Sequence, residues 1–465
     1  MRRQVAWNMA AHAIGQLLPP LLVIVLARLL TPADFGIFAL VSIIIAFMQA
    51  VGQAPFGEAI VQSRQDDIGD FMFTVQLLLA TVLAVILFLA APLLAVLFSR
   101  PELAFPLRVS SLLILLTPLA DTSLRMSMRI IAFQAVFARR LVSPVANALV
   151  SIPLALSGFG FWALIWGQLA GTLLATLAVL ILSGWRPRLN FDHGRFRADL
   201  WFSLQMAVQN VMRWARSQSD RAILGMHVDN GLLGQYEMSR RLASMPFVLL
   251  VDPLAQVMYA VLSDRLRQGN DIRALFLAVQ RRMLLLAVPA ALMLALNAQE
   301  IVLLLLGRQW AGMAPAFRIF ALLGAFYAMV GINTEIFKAG GRPGVMTAFM
   351  LVRGGATVVA ILFLAPHGVL AVAWGFLGLA MIFSPLNVWL VLRLLKIPFG
   401  QYAHAVLLRP FVLAMAVGLC GLALRQLSLP MIAELLVQFF GAAIFMLGGL
   451  WLWEPDIFSW RKRNA

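Results

Sequence analysis

Thiol chemistry is almost missing from this chain: its 465 residues contain a single cysteine, Cys420, set in an apolar run. A disulfide framework and a thiolate metal site are both excluded. Charge is scarce as well, at 12% of residues, about half of what soluble domains carry. Among the 36 basic residues only three are lysine, Lys338, Lys396 and Lys462, which leaves 36 − 3 = 33 arginines. The histidines His12, His193, His227, His367 and His404 are scattered without metal-ligand spacing. Neither a Walker loop nor a dinucleotide fingerprint occurs, so ATP or NAD use has no support. No cofactor and no metal are expected.

What fills the chain instead is apolar: 62% of residues are hydrophobic and the mean hydropathy is +0.91. That composition belongs to an integral membrane protein, in which a helix needs roughly 20 apolar residues to cross the hydrocarbon layer. Such runs lie near 8–30, 36–62, 71–98, 103–130, 137–157, 160–183, 200–226, 232–262, 280–306, 313–337, 343–365, 368–394, 403–427 and 429–453, about fourteen in all. The fold class is an all-α integral membrane protein. With the N-terminus inside, 25 of the 36 basic residues fall on the cytoplasmic side, which predicts cytoplasmic termini and a retained first span. This topology accounts for most of the net charge of +16, and nucleic acid is not an expected partner. Tryptophans near span ends read as interfacial belt residues.

The halves of the chain resemble one another. LARLLTPADFGIFAL (26–40) aligns with LGMHVDNGLLGQYEM (224–238), setting Gly36 over Gly234, and GFWALIWG (160–167) aligns with GVLAVAWG (368–375). Six spans per repeat return the chain to its starting side, so the two units are parallel and related by an axis along the membrane normal. The expected division is an N-terminal lobe 1–184, a cytoplasmic linker 185–199, a C-terminal lobe 200–396, and two additional spans with a basic tail over 397–465. Two facing six-helix lobes leave a cleft.

Ionisable residues inside spans are the informative exceptions, because arginines facing lipid would cost about 2.5–3.5 kcal/mol each. In the seventh span Gln205, Gln209, Arg213, Arg216 and Asp220 recur at steps of 4, 4, 3 and 4, a single helical stripe, with Asn210, Trp214, Ser217 and Arg221 beside it. The eighth span carries Glu237, Arg240 and Arg241, within i+3 and i+4 reach of one another. Five arginines against two carboxylates leave 5 − 2 = +3, a surplus that suits an anion site lining the cleft; the competing reading is a helix lock. The first lobe is less charged: Asn8, His12 and Gln16; Gln49 and Gln53, then Glu58 and Gln62; and Thr117, Asp121, Arg125 and Arg129, again by fours. Asp121 and Arg125 read as a local pair and Arg129 as a snorkelling end residue. Asp220, Glu237, Asp121, Glu58 and His12 are the gating or coupling candidates; His12 also reads as a hydrogen-bonded helix contact.

ARLLTPADFGIFAL (27–40), EAIVQSR (58–64), LSGFGFWALIWGQL (156–169), WRPRLNFD (185–192), DRAILGMHVDNGLLGQYEMSRRLASMP (220–246), GGRPG (340–344) and HGVLAVAWG (367–375) together resemble the bacterial polysaccharide repeat-unit flippases of the multidrug, oligosaccharidyl-lipid and polysaccharide exporter superfamily. The resemblance spans nearly the whole chain. It implies two pseudosymmetric helical lobes around a cationic cavity, and alternating-access transport of an undecaprenyl-diphosphate-linked oligosaccharide from the inner to the outer leaflet of the bacterial inner membrane. The substrate-binding set is then Arg213, Arg216, Arg221, Arg240, Arg241, Arg125, Gln205 and Gln209, with membrane lipids, a polysaccharide polymerase and a chain-length regulator as partners. Lipid II flippases carry arginines in their first spans where this chain has Asn8, His12 and Gln16, so the peptidoglycan precursor is not assigned as cargo.

Three other readings share parts of this pattern. A cation-coupled drug antiporter has the same architecture but wants a negative cavity. A membrane glycosyltransferase or polymerase presents a sizeable outer loop, which no segment here provides. A transport-inactive scaffold uses the charges only to join helices.

Overall fold

A computed structural model describes residues 18–52, 68–129, 133–192, 197–426 and 430–453. The helices are α1 (Leu18–Leu29), α2 (Pro32–Gly52), α3 (Ile68–Leu97), α4 (Ala104–Arg129), α5 (Phe133–Leu156), α6 (Phe161–Ser183), α7 (Arg197–Gly225) and α8 (Asn230–Arg267). They continue as α9 (Arg273–Leu296), α10 (Ala298–Leu305), α11 (Ala314–Val330), α12 (Asn333–Ala339), α13 (Pro343–Leu364), α14 (Val369–Leu395), α15 (Phe399–Arg425, with a wide π turn at Ala403–Leu407) and α16 (Met431–Trp453). No strand occurs among the described residues. Eleven stretches of the described chain are long and apolar enough to cross a membrane. The helices α5 and α7, of 24 and 29 residues, match them in length but not in hydropathy. These two carry Arg139, Arg140, Arg213, Arg216 and Arg221. The all-α membrane architecture expected from composition is therefore the one observed.

The chain forms two compact units, Met1–Gly234 and Gln235–Ala465. Compactness follows packing rather than the internal repeat, and α7 belongs to the first unit because it packs along α2.

Helix starts in the first unit are written into local sequence. Thr31 and Asp34 form a reciprocal cap: the Asp34 amide donates to Thr31 Oγ1 (3.3 Å), while the Thr31 amide and hydroxyl donate to Asp34 Oδ2 (2.9 and 2.7 Å). The other oxygen of Asp34 accepts the Phe161 amide at 2.8 Å, so one carboxylate caps both α2 and α6. Gly160 makes this possible: its φ is +56°, and a Cβ there would meet Asp34 Oδ1 at 2.8 Å. In the second repeat the Leu232 amide donates to Asp229 Oδ1 at 2.8 Å, the same i to i+3 cap 198 positions later. Along α6, Gly167 and Gly171 admit Asn147, Ser151 and Ser143 of α5 into close contact, the small-residue packing that joins helices in lipid.

The second unit is built on a core that includes Phe247, Val251, Phe276, Met283, Ile332, Ile336 and Phe349. Its helical run 314–339 is interrupted between α11 and α12. There Gln280 of α9, fully buried, donates its amide to Ala328 O (3.3 Å) and Met329 O (2.6 Å), which satisfies carbonyls at the end of α11. Buried Asn333 of α12 donates to Asn387 of α14 at 2.7 Å. The last two helices are tied in by Arg425, which donates to Leu296 O (2.7 Å) and pairs with Glu300 (3.2 Å) and Glu434 (3.7 Å).

Candidate functional site

The polar face of α7 divides into two columns with different surroundings. Gln205, Gln209, Arg213 and Arg216 are exposed. Asn210 is buried, and Trp214, Ser217 and Arg221 are half-buried. Trp214 sets this orientation: its indole Nε1 donates to Ile43 O of α2 at 3.1 Å and its ring lies 4.8 Å from that of Phe47. Neighbouring residues on a helix point about 100° apart, so anchoring Trp214 on α2 turns Arg213 outward. Arg221 donates to Ser217 O at 3.1 Å. Asp220 shares the sequence stripe of Arg213 and Arg216 but is buried to 2% exposure. Beside the exposed cationic column runs an exposed apolar one, Leu204, Val208 and Met212.

A second polar seam lies between α2, α4 and α5. Gln49 Nε2 donates to Thr117 Oγ1 at 3.4 Å. One turn further along α4, Asp121 stands 3.9 Å from Arg125 Nε, which places the expected local pair in contact but beyond hydrogen-bond distance. Arg139 of α5 reaches the same place and donates to Ala120 O at 3.3 Å. Two candidates, His12 and Glu58, lie outside the described residues, as do Asn8, Gln16, Gln53 and Gln62.

The opposite end of the first unit is closed by backbone contact. A Cβ on Gly36 would fall 1.9 Å from Asn230 O, and one on Gly234 would fall 1.9 Å from Pro32 O. Around this crossing Asn230 donates to Glu102 at 3.0 Å and Arg100 donates to Val228 O. Burial holds the Arg100 guanidinium below its ordinary range, opposed by the nearby charges of Glu102 and Asp229.

In the second unit, Glu237 and Arg240 are half-buried and Arg241 is exposed. The Arg240 guanidinium sits 5.6 Å from the centroid of the Phe376 ring, a cation–π contact. Tyr236, aligned with Phe38 in the repeat, is fully buried against Phe320.

Two groups stand out here that the sequence reading passed over. Asp252, exposed on α8, accepts a short hydrogen bond from the Tyr327 hydroxyl of α11. Its signal was present, since a carboxylate within an apolar span is itself unusual. The other is Arg139: nothing in its sequence spacing pairs it with α4.

The family described as "Polysaccharide biosynthesis protein" matches residues 25–315. The succinoglycan biosynthesis transport protein ExoT of Rhizobium meliloti (strain 1021) is 27% identical over 426 residues, covering 90% of this chain and 85% of that protein. The teichuronic acid biosynthesis protein TuaB of Bacillus subtilis (strain 168) is 21% identical over 413 residues, 84% of this chain and 82% of that one. Among solved structures, the lipid II flippase MurJ in an inward closed conformation superposes with a TM-score of 0.79 at 14% identity, covering 97% of this chain and 99% of that chain. At that identity the likeness shows the fold.

Proposed function

Because the chain belongs to the polysaccharide biosynthesis protein family and is a membrane transporter rather than an enzyme, we propose that it is a flippase for an undecaprenyl-diphosphate-linked oligosaccharide repeat unit. It moves this unit from the inner to the outer leaflet of the bacterial inner membrane, for cell-surface or exopolysaccharide synthesis. The observation that carries the reading is the exposed face of α7: Arg213 and Arg216, with Gln205 and Gln209, beside an apolar column of Leu204, Val208 and Met212. A lipid diphosphate has the matching pair of chemistries. Guanidinium forks bond phosphate oxygens bidentately, and the apolar column suits an isoprenoid tail. A cationic drug would gain nothing from two exposed arginines.

In this reading the diphosphate is held by Arg213 and Arg216, and alternating access of the two pseudosymmetric lobes, 1–184 and 200–396, carries it across. Arg221, Arg240 and Arg241 receive the head group in the outward state, and Asp220 and Glu237 compete with it to assist release. Both termini lie in the cytoplasm, and a polymerase and a chain-length regulator take the product onward. The test is a flipping assay in proteoliposomes with Arg213→Ala and Arg216→Ala proteins that still insert normally. Loss of transport in both is expected; full transport by both removes this site.

A further inference from the structure

We propose that Arg125 and Arg139, arranged around Asp121, form a first anion-binding station for a lipid-linked diphosphate, separate along the bundle from the arginines of α7. The proposal rests on the flippase reading and adds to it a binding residue, Arg139, and a role for Asp121 as the counter-charge that the arriving anion displaces.

Three observations on the first unit carry it. The side chains of Asp121 and Arg125 are 16% and 29% exposed, and 3.9 Å separates their nearest atoms. A charge-assisted pair closes to about 2.7–2.9 Å, whereas here Arg125 Nε and Asp121 Oδ2 are both buried without a hydrogen-bond partner. A buried donor left in this way is destabilising, so the arrangement is poor as a structural pair and well suited to an incoming acceptor. Arg139 contributes a second guanidinium, bonded to a backbone carbonyl rather than to a carboxylate. Arg139 also lies within Coulombic range of both Asp121 and Arg125. The three groups sum to 2 − 1 = +1, a cationic surplus that attracts an arriving anion and disfavours a cation.

Position completes the argument. Trp214, beside Arg213, bonds to Ile43 of α2; six residues further along α2, Gln49 bonds to Thr117 of α4; eight residues further along α4 comes Arg125. At 1.5 Å per residue the two stations are roughly 20 Å apart. That is too far for one diphosphate to touch both, so they are occupied in succession.

The experiment measures binding of geranylgeranyl diphosphate to the full chain in nanodiscs, with geranylgeraniol and inorganic pyrophosphate as the other probes. Arg139→Gln is expected to weaken diphosphate binding about tenfold, the loss of one charge-assisted bond. Asp121→Asn is expected to tighten it, because the competing carboxylate is gone. Arg139→Lys keeps the charge without the fork and should recover part of the loss; it also serves if Arg139→Gln fails to fold. Inorganic pyrophosphate responding to the same substitutions assigns the site to the anion itself, and a response confined to the lipid diphosphate assigns it to the head group with its tail; both support the station. An Asp121→Asn protein that binds more weakly, or Arg139 variants that bind like the parent, overturns it and leaves the flippase reading standing. A parent chain that binds no geranylgeranyl diphosphate removes the flippase reading and the station together.

Discussion

Gly36 and Gly234 touch as a reciprocal pair. Each would drive a Cβ to 1.9 Å from a backbone carbonyl oxygen, Asn230 O for Gly36 and Pro32 O for Gly234. The offset 234 − 36 = 198 equals 230 − 32, so each glycine meets the repeat counterpart of the residue that the other one meets. The repeat relation is thus also a contact relation, a local two-fold at the start of α2 and α8. Only a residue without Cβ permits this approach.

Gly36→Ala and Gly234→Ala are therefore expected to push the two helix starts apart. Each should destabilise the protein by about 1–3 kcal/mol, the usual cost of overpacking, read as a lowered thermal midpoint in detergent. Since the glycines share one contact, the double variant should fall short of the sum of the singles. Additive losses would mean that the crossing is not a single unit.

Asp34 caps α2 and α6 at once through Thr31 and the Phe161 amide. Its replacement by alanine should cost about 1–2 kcal/mol for the lost caps and speed hydrogen exchange at the Phe161 amide. Asp34→Asn keeps an acceptor and should retain part of the stability. Unchanged exchange at Phe161 in Asp34→Ala would show that the carboxylate does not hold α6.

Gln280 covers the Ala328 and Met329 carbonyls where α11 ends. Gln280→Leu, close in volume, leaves both without their donor and should destabilise by about 1–3 kcal/mol. The effect should appear as increased proteolysis or exchange confined to 328–339. A variant as stable as the parent would assign those carbonyls to other donors.

Much of this protein is legible in its sequence. The apolar runs required helices across a membrane, because hydropathy is a local signal. The alignment of Gly36 with Gly234 was visible too, but not that the two glycines touch. The polar stripes of α7 were correct as periodicity, yet periodicity does not say which stripe packs. Trp214 decided that by docking on α2, leaving Arg213 and Arg216 exposed, while Asp220 on the same stripe became buried.

From sequence alone followed the solvent of the fold, the helical class, the internal repeat and the arginine-rich polar stripes, because hydropathy and periodicity are properties of consecutive residues. Tertiary structure decided that Arg139 joins Asp121 and Arg125, that Tyr327 finds Asp252, and that one carboxylate serves two helices. These pairings link residues far apart in the chain, and which helix lies beside which is set by packing that no single segment encodes.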